Sequence, residues 1–495
     1  MAPGPIGSMR LAWLALAAIP FATAALFGGL IVWGGRLLLK RVEASLGQPP
    51  QSTMTEMWWT AKAHPPGSLF LTMQRAESGL AAEHPLGSVP HPDWLSMLGW
   101  DVGTLARPPV SPDVPVDLTA VLGATAAAPV TLAMPVFVAP MGFGLGLSAE
   151  MKVALAQAAT LAGTAIASGE GPYLPEERAY AARWILQESR GGWAHQAPVR
   201  RLADAIEIAW GQGSEGSAAI QKSPQEVAPR MREAAAGAPR LQAPAALSLE
   251  AWLDAVRRDN PRCPVGVKIP ATHHLEEDLA ALLRLGVDCV TLDGSGAGSA
   301  GSPAVISDHA GLSTALAAHR AHQWLTQAGV RARITLVVSG GVHGASDILA
   351  LIALGADAVA VGTELLMAAL HEQIAPHWPG TPPTALAFHR VDGKPVPRLD
   401  VDRAAEHVAN WFEATRAELD GLLRALGLTS LAQVRELRPL VARTAEAALA
   451  FQLPYDAVPP FPDWGDRVKD LVASYRQMNQ VLSQIYERWP RHGIS

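Results

Sequence analysis

The chain has 495 residues, a formal net charge of −6 and 17% charged residues. This length allows one large domain with appended segments, and a weakly acidic chain without a basic tract argues against a nucleic-acid partner. The two cysteines, Cys263 and Cys289, are too few for an iron–sulfur cluster, which takes about three or four thiolates, so we expect both to be core thiols. No Cys-x-x-Cys or His-x-x-x-His spacing occurs, and no metal site is predicted.

Residues 11–35 carry no charged side chain and form a longer run than the roughly 20 apolar residues that cross a bilayer as a helix. Arg10 precedes this run, whereas Arg36, Lys40 and Arg41 follow it. By the positive-inside rule, we expect residues 1–41 to form a single-pass anchor in an inner or plasma membrane, with the rest of the chain facing the cytoplasm. The alternatives are a cleaved signal peptide, whose apolar region usually has about 7–15 residues, and a buried core helix.

Residues 42–130 are rich in Pro, Gly and His, and they show little periodicity. Their tryptophans, Trp58, Trp59, Trp94 and Trp100, suggest that the segment packs against another part of the protein. We interpret it as a linker and cap rather than a second domain.

Short apolar strands alternate with helices across residues 131–370, which predicts a parallel sheet covered on both faces. Strands are expected at 135–141, 164–168, 205–210, 265–269, 289–292, 334–338 and 358–361, and helices at 148–162 (with Ser148 as N-cap), 176–189, 249–258, 276–285 and 310–328. Seven or eight strands in this length favour a (β/α)8 TIM barrel over a doubly wound sheet. Residues 371–495 are expected to be a helical C-terminal extension, helical at 402–451 and again at 467–487.

The two last predicted strands end in glycine. Ser339, Gly340 and Gly341 end one strand, and Gly362 and Thr363 end the next. Glycines let backbone N–H groups approach an anion, and the last two strands of a TIM barrel commonly hold a phosphate. The pattern therefore predicts a phosphate site, with ordinary tight turns as the alternative.

Lys268 lies in an otherwise apolar strand, Val265-Gly-Val-Lys-Ile269. A buried lysine is costly unless it is paired with an anion. We therefore expect Lys268 to face a ligand site, although a lysine that reaches solvent between helices would show the same pattern.

Other strand ends carry polar or glycine residues, which in a barrel is where chemistry occurs. The candidates are Met141 and Gly142, Ser168 and Glu170, Gln212, and Asp293 with Gly294. Glu170 stands between two glycines, where it could bind a substrate amine or orient a base. A structural turn is the alternative at each of these positions. His309 could face the site or begin a helix, and the adjacent His273 and His274 make a poor metal pair.

Taken in order, these strand ends resemble the FMN-binding synthase domain of the glutamate synthases over residues 130–370. Ala-Pro-Met-Gly-Phe-Gly at 139–144, followed by Ser-Ala-Glu at 148–150, is similar to the family's Met-Ser-Tyr/Phe-Gly and Ser-Lys-Glu. Ser-Gly-Glu-Gly at 168–171 resembles its Thr-Gly-Glu-Gly, and Ile-Glu-Ile at 206–208 with Gln212-Gly213 resembles its Ile-Glu-Ile and Gln-Gly. The Lys268 strand, the Asp293–Gly294 loop, residues 308–311 and the two glycine-ended strands follow in the same order. Residues 371–450 resemble the tail of stand-alone, membrane-anchored members.

The resemblance implies an FMN-dependent oxidoreductase that exchanges a hydride with an amine or imine carbon of an amino-acid-like substrate, of the glutamate/2-oxoglutarate type. Lys268 would stabilise the negative charge that a reduced flavin develops near N1 and O2, and Glu170 would orient substrate or move a proton. The cofactor-binding residues are then expected to be Met141, Gly142, Ser168, Gln212, Lys268, Asp293, Gly294, Ser339, Gly340, Gly341, Gly362 and Thr363.

The chain also departs from the family pattern. Gly142 replaces the usual serine, and residues 214–217 replace the family's Lys-Pro-Gly-Glu-Gly-Gly-Gln loop. No cysteine occurs in residues 371–383, where relatives hold a 3Fe–4S centre, and no glutaminase domain is recognised. We therefore expect no iron–sulfur cluster, and a separate electron donor or ammonia-supplying protein as partner.

Two other functions fit the same barrel. A 2-hydroxyacid oxidase would need an arginine near the late strands, but Arg331 and Arg333 precede their strand, at the opposite face. A non-catalytic, membrane-tethered FMN-binding protein is favoured by Gly142 and by the altered loop at 214–217.

Overall fold

The computed structural model describes residues 92–455, except 145, 194–195, 214–247, 299–301, 375, 377–383 and 389–397, together with a few isolated positions before residue 92. Contacts divide the chain into two units, Met1–Ala82 and Glu83–Ser495. The predicted anchor at 11–35, Trp58 and Trp59, the altered loop at 214–217 and the helix expected at 467–487 lie outside the described residues. Within the described ranges, no helix is long and apolar enough to cross a membrane.

The strands are β1 Leu98–Trp100, β2 Ala120–Leu122, β3 Val130–Leu132, β4 Val136–Val138, β5 Ile166–Ala167, β6 Trp184–Ser189, β7 Ala205–Ala209, β8 Val265–Pro270, β9 Cys289–Asp293, β10 Thr335–Ser339, β11 Ala358–Val361 and β12 Leu440–Ala442. The helices are α1 Ala149–Leu161, α2 Pro175–Tyr180, α3 Ala197–Arg200, α4 Leu249–Asp259, α5 Leu275–Arg284, α6 Ala304–Ser307, α7 Thr314–Gln327, α8 Ala345–Ala353, α9 Thr363–Ala369, α10 Thr384–Ala387, α11 Val401–Ala425, α12 Leu431–Leu437 and α13 Ala445–Phe451.

Strands β4 to β11 form a closed barrel in which every neighbouring pair is parallel. The strands lie around the barrel in chain order, and β11 closes it against β4 through the Ala360–Phe137 pair. This is the predicted (β/α)8 architecture. Its outer wall includes α1, whose N-cap Ser148 accepts a hydrogen bond from the Met151 N–H, as expected.

The antiparallel hairpin of β2 and β3 covers the amino-terminal end of the barrel. Leu122 and Leu132 belong to one apolar cluster with residues that begin barrel strands, such as Ala205 and Ala358. The Gly123 N–H also donates to Thr335 Oγ1 at 3.0 Å, at the start of β10. The hairpin covers this end, which leaves the carboxyl end of the barrel as the place to examine for a ligand site.

The helix predicted at 176–189 is wrong in its second half. α2 ends at Tyr180, and Trp184–Ser189 forms strand β6, which pairs with both β5 and β7. Both faces of β6 are buried, so its sequence shows no alternation of apolar and polar residues. The polar residues of β6 resemble a helix surface, but inside the fold Gln187 donates to Glu207 and Glu188 accepts from Arg200.

Two other helix predictions are corrected. α7 begins at Thr314 with Ser313 as N-cap rather than near residue 310. The helix predicted at 402–451 is divided into α11, α12 and α13, and β12 lies between the last two. β12 pairs antiparallel with β1, which attaches the C-terminal extension to the segment predicted as linker and cap.

Candidate active site

The turns after β4 and β5 lie directly against each other. A Cβ atom built on Gly142 would lie 1.5 Å from the Glu170 carbonyl oxygen, so no side chain fits at this position. Gly169 has φ +73°, and a Cβ atom on it would lie 2.3 Å from the Met141 carbonyl carbon. Glycine in place of the family's usual serine therefore permits a close backbone contact between the two turns.

A second set of glycines brings together the loops after β7, β9 and β10. A Cβ atom on Gly213 would lie 1.9 Å from the Gly294 carbonyl oxygen, and one on Gly298 would lie 2.2 Å from Gln212 Oε1. Gly340 also lies close to the β9 loop, since its Cβ would be 2.9 Å from Ala297 Cβ. The predicted residues Gln212, Gly294 and Gly340 thus meet at the carboxyl end of the barrel.

The two glycine-ended strands stand side by side at this end. Gly340 and Gly341 both have positive φ, +108° and +63°, which turns the chain sharply after Ser339. The Thr314 hydroxyl, at the start of α7, donates to the Gly340 carbonyl oxygen at 2.6 Å and fixes this turn. Gly362 precedes Thr363, the first residue of α9, and a Cβ on Gly362 would lie 3.4 Å from Met141 Sδ.

Lys268 is buried, with its side chain 3% exposed, and pairs with a carboxylate rather than reaching solvent. Its Nζ lies 3.1 Å from Asp293 Oδ2, and the Ser339 hydroxyl donates to the other oxygen of Asp293. Burial by itself would lower the pKa of Lys268, but the carboxylates of Asp293 and Glu207 hold that pKa above its ordinary value. Lys268 therefore keeps its positive charge inside the barrel.

Glu207, on β7, is a second buried carboxyl group of this region. The Gln187 amide donates to its Oε1 at 2.7 Å, and the Thr291 hydroxyl donates to Oε2. Burial raises the pKa of Glu207, whereas the charge of Lys268 opposes the rise. Its position in an apolar strand, Ala205-Ile-Glu-Ile-Ala209, is the same signal that identified Lys268, so the sequence could have revealed it.

Glu170 is half-buried in the turn after β5. Burial raises the pKa of its carboxyl group, and the Ser189 hydroxyl and the charges of Lys268 and Arg190 oppose that rise. A carboxyl group with a raised pKa can hold or release a proton nearer neutral pH.

A buried ion pair between α1 and α2 supports the Ser168–Glu170 turn. Lys152, on α1, donates to the carbonyl oxygens of Ala167 and Ser168 at 3.2 and 3.0 Å, and its Nζ lies 3.1 Å from Glu177 Oε1. The Lys152 side chain is fully inaccessible, and that of Glu177 is 2% exposed. No feature of the helical sequence around Lys152 indicated this contact.

Some candidates are not part of the buried cluster. His309 is exposed, and His274 is exposed beside Glu277. Arg331 lies at the amino-terminal end of β10, where it pairs with Asp357 at 2.9 Å. Across the described ranges, no group of three or more His, Cys, Asp or Glu side chains is arranged to hold a metal ion.

A closed parallel barrel, blocked at its amino-terminal end and carrying glycine-rich loops and a buried ammonium group at its carboxyl end, has the architecture of the TIM-barrel enzymes. Comparison with known families is more specific. The family model described as a conserved region in glutamate synthase matches residues 112–429, more than half of the chain. The chain belongs to this family.

Individual relatives agree with that assignment. The chain is 29% identical over 408 residues to the glutamate synthase large subunit-like protein of Rhizobium meliloti (strain 1021), which covers 76% of this chain and 90% of that protein. It is 30% identical over 314 residues to the archaeal glutamate synthase (NADPH) of Methanocaldococcus jannaschii, and 29% identical over 314 residues to the archaeal-type enzyme of Thermotoga neapolitana. The match spans only 60% and 61% of these two proteins.

Among solved structures, the chain is similar to the flavin-binding domain of baker's yeast flavocytochrome b2, with a TM-score of 0.47 and 14% identity. The match covers 76% of this chain and 82% of that one. The (β/α)8 fold follows from the strand pairing and not from this likeness.

Proposed function

We propose that the chain is an FMN-dependent oxidoreductase that acts on the amine or imine carbon of an amino-acid-like substrate, of the glutamate/2-oxoglutarate type. The observation that carries the proposal is the buried ammonium of Lys268 at the carboxyl end of a barrel whose family is that of the glutamate synthases. A buried cation at this place suits a cofactor that becomes more negative when it is reduced.

The residues present fit FMN. Gly340 and Gly341, with positive φ, and the first amides of α9 after Gly362 offer backbone N–H groups to a phosphate. Met141, Gly142 and the Gln212 side chain border the same end of the barrel. When bound, FMN would supply the acceptor and donor of two electrons that amine and imine chemistry requires.

The chain's own groups have separate tasks in this proposal. Lys268 supplies positive charge toward the cofactor, and Asp293 and Ser339 fix the position of its ammonium group. Glu170 orients the substrate and holds or releases the proton at the substrate nitrogen, for which its raised pKa suits it. Lys152 keeps the Glu170 turn in place through the Ser168 carbonyl group.

The first experiment tests the cofactor. Full-length protein should be yellow and release FMN on denaturation, and Lys268→Met should weaken FMN binding or slow flavin reduction. The matched control is Arg403→Met, which removes a cation from an exposed ion pair between α11 and Glu372, in the turn after α9. A colourless protein that cannot be reconstituted with FMN would refute the proposal, and a Lys268→Met protein that behaves like the wild type would refute the role of Lys268.

The second experiment tests the reaction. FMN-loaded protein is mixed anaerobically with a panel of amino acids, 2-hydroxy acids and inorganic or protein reductants, and the bleaching of the flavin is followed. Reduction by an amino acid supports the proposal. Reduction by a 2-hydroxy acid alone would instead support the oxidase alternative, for which Arg331 lies at the wrong end of the barrel.

The non-catalytic alternative loses one of its arguments. The close contact between Gly142 and the Glu170 carbonyl oxygen accounts for the glycine by packing, without a loss of activity. We further propose that a separate protein supplies electrons or ammonia. Cys263 and Cys289 are both buried and free, and two thiols are too few to hold an iron–sulfur cluster that would carry electrons to the flavin.

We also propose that residues 11–35 anchor the protein in the inner or plasma membrane, with the barrel in the cytoplasm. The support is the uncharged run and the basic residues that follow it. The protein should sediment with membranes and resist alkaline extraction, and full recovery in the soluble fraction would contradict the anchor.

A further inference from the structure

The interior of the barrel holds one buried ammonium group among several carboxyl groups. Lys268 interacts electrostatically with Asp293, Glu207 and Glu170, from β9, β7 and the turn after β5. Asp293 is in direct contact, and Glu170 lies in the turn region where substrate chemistry is expected. Glu207 is the member of this group that the proposed function leaves without a task.

Glu207 lies deeper in the barrel than Lys268, toward its amino-terminal end. In the register of β7 and β8, Glu207 is paired with Gly266, two residues before Lys268 on the same inward face. It is therefore nearer than Lys268 to the amino-terminal end, away from the glycine-rich loops. Hydrogen bonds from Gln187 and Thr291 occupy both of its oxygens, so its position and orientation are fixed.

We propose that Glu207 is a positioning residue that acts through Lys268: its buried carboxylate sets how much of the ammonium's positive charge acts at the carboxyl end of the barrel, and thereby sets the reduction potential of FMN. This inference rests on the proposed function, because it assumes that FMN binds at that end.

The charge balance gives the direction of the effect. Reduction of FMN adds two electrons and one proton, which leaves the cofactor with one more negative charge than before. An ammonium group nearby favours the reduced form, and a carboxylate that neutralises the ammonium reduces that preference. Removal of the Glu207 charge should therefore make the potential more positive.

Glu207→Gln removes the charge of the side chain and keeps its shape. The new amide keeps an oxygen that accepts from Gln187 and gains an N–H group that can donate to Thr291 Oγ1, so both hydrogen bonds persist. The Lys268 ammonium opposes the rise that burial causes in the pKa of this carboxyl group, and so favours the charged form that the substitution removes.

The test measures the flavin potential by anaerobic reduction of the full-length, FMN-loaded protein in the presence of a reference dye, without substrate. Glu207→Gln should favour reduced flavin at least tenfold, about 30 mV for a two-electron couple. In the Lys268→Met background the same substitution should change the potential less, because without the ammonium the buried Glu207 carboxyl group takes up a proton and has less charge to lose. Asp357→Asn, at the amino-terminal end of β11, is the control and should leave the potential unchanged.

Each outcome decides one point. Equal potentials in the wild type and Glu207→Gln overturn the role of Glu207 while FMN binding stands, and an equal shift in the Lys268→Met background overturns the action through Lys268. A protein that binds no FMN overturns the proposed function itself.

If Glu207→Gln does not fold, Thr291→Val carries the test. It removes a hydrogen bond that favours the charged carboxylate, so the potential should again become more positive, and an unchanged potential overturns the proposal.

Discussion

Lys152→Met tests whether the buried ion pair behind the site holds the Ser168–Glu170 turn. Methionine has a similar length but no charge, so the change removes the contact with Glu177 and the hydrogen bonds to two backbone carbonyl groups. Within the described part of the chain, the Trp184 Nε1–H, at 3.3 Å, would then remain as the donor at Glu177 Oε1.

The expected cost follows from this burial. Removal of one partner of a buried ion pair typically costs about 3–5 kcal/mol, and each carbonyl group left without its donor adds to that cost. Burial already raises the pKa of Glu177, so the abandoned carboxyl group can take up a proton, which keeps the total within this range. The double variant Lys152→Met/Glu177→Gln should recover part of the loss, because it leaves no unpaired charge.

Urea unfolding measures the stability, and titration with FMN measures the effect on the site. We expect Lys152→Met to lose about 3–5 kcal/mol and to bind FMN more weakly, since the Ser168 carbonyl group is no longer held. Arg403→Met breaks an exposed ion pair and should cost no more than about 1 kcal/mol. A loss below about 1 kcal/mol for Lys152→Met, with unchanged FMN affinity, would refute the reasoning.

Three further predictions concern other parts of the fold. Gly142→Ala should lower stability by at least about 1–3 kcal/mol and weaken FMN binding, because its Cβ would collide with the Glu170 carbonyl oxygen; an unchanged melting temperature would contradict this. Arg200→Met should cost about 3–5 kcal/mol in urea unfolding, since it leaves the buried Glu188 carboxylate without its bidentate partner. Burial lowers the pKa of His319 to about 4. The unfolded chain therefore binds more protons than the folded chain between about pH 6.5 and 4, and stability falls as the pH falls through this range. His319→Phe should lose less stability than the wild type over the same range, and an equal loss would exclude His319 as the source of the pH dependence.

The barrel could be predicted from the sequence because its strands are apolar and end in conspicuous residues. The structure confirms the (β/α)8 architecture, and it places Ser339, Gly340 and Gly362 at one end, as the pattern indicated. β6 could not be predicted, since its Gln, Glu and Ser residues look like a solvent-facing helix. What makes β6 a strand is a set of partners distant in sequence, such as Arg200 for Glu188.

The candidate site was predictable in its members but not in its pairings. Lys268 was identified because a lone charge in an apolar strand needs an anion. Asp293 was identified separately, as a strand-end residue, and nothing local to either residue shows that they form one ion pair across β8 and β9. Gly142 illustrates the converse: a departure from the family pattern looked like a lost function, whereas the structure shows a backbone contact that requires it.

Two glutamates on adjacent strands show why side-chain direction decides function here. Glu188 and Glu207 are both buried carboxyl groups, but the register pairs Glu207 with Gln187, so Glu188 points to the opposite face. On the outer face, Glu188 meets Arg200 and the Trp252 N–H, which satisfy it within the helical layer. On the inner face, Glu207 accepts hydrogen bonds from the neutral groups of Gln187 and Thr291, and it shares the charge of Lys268 with Asp293. The outer carboxylate is therefore a structural group, and the inner one is placed to tune the charge at the carboxyl end of the barrel.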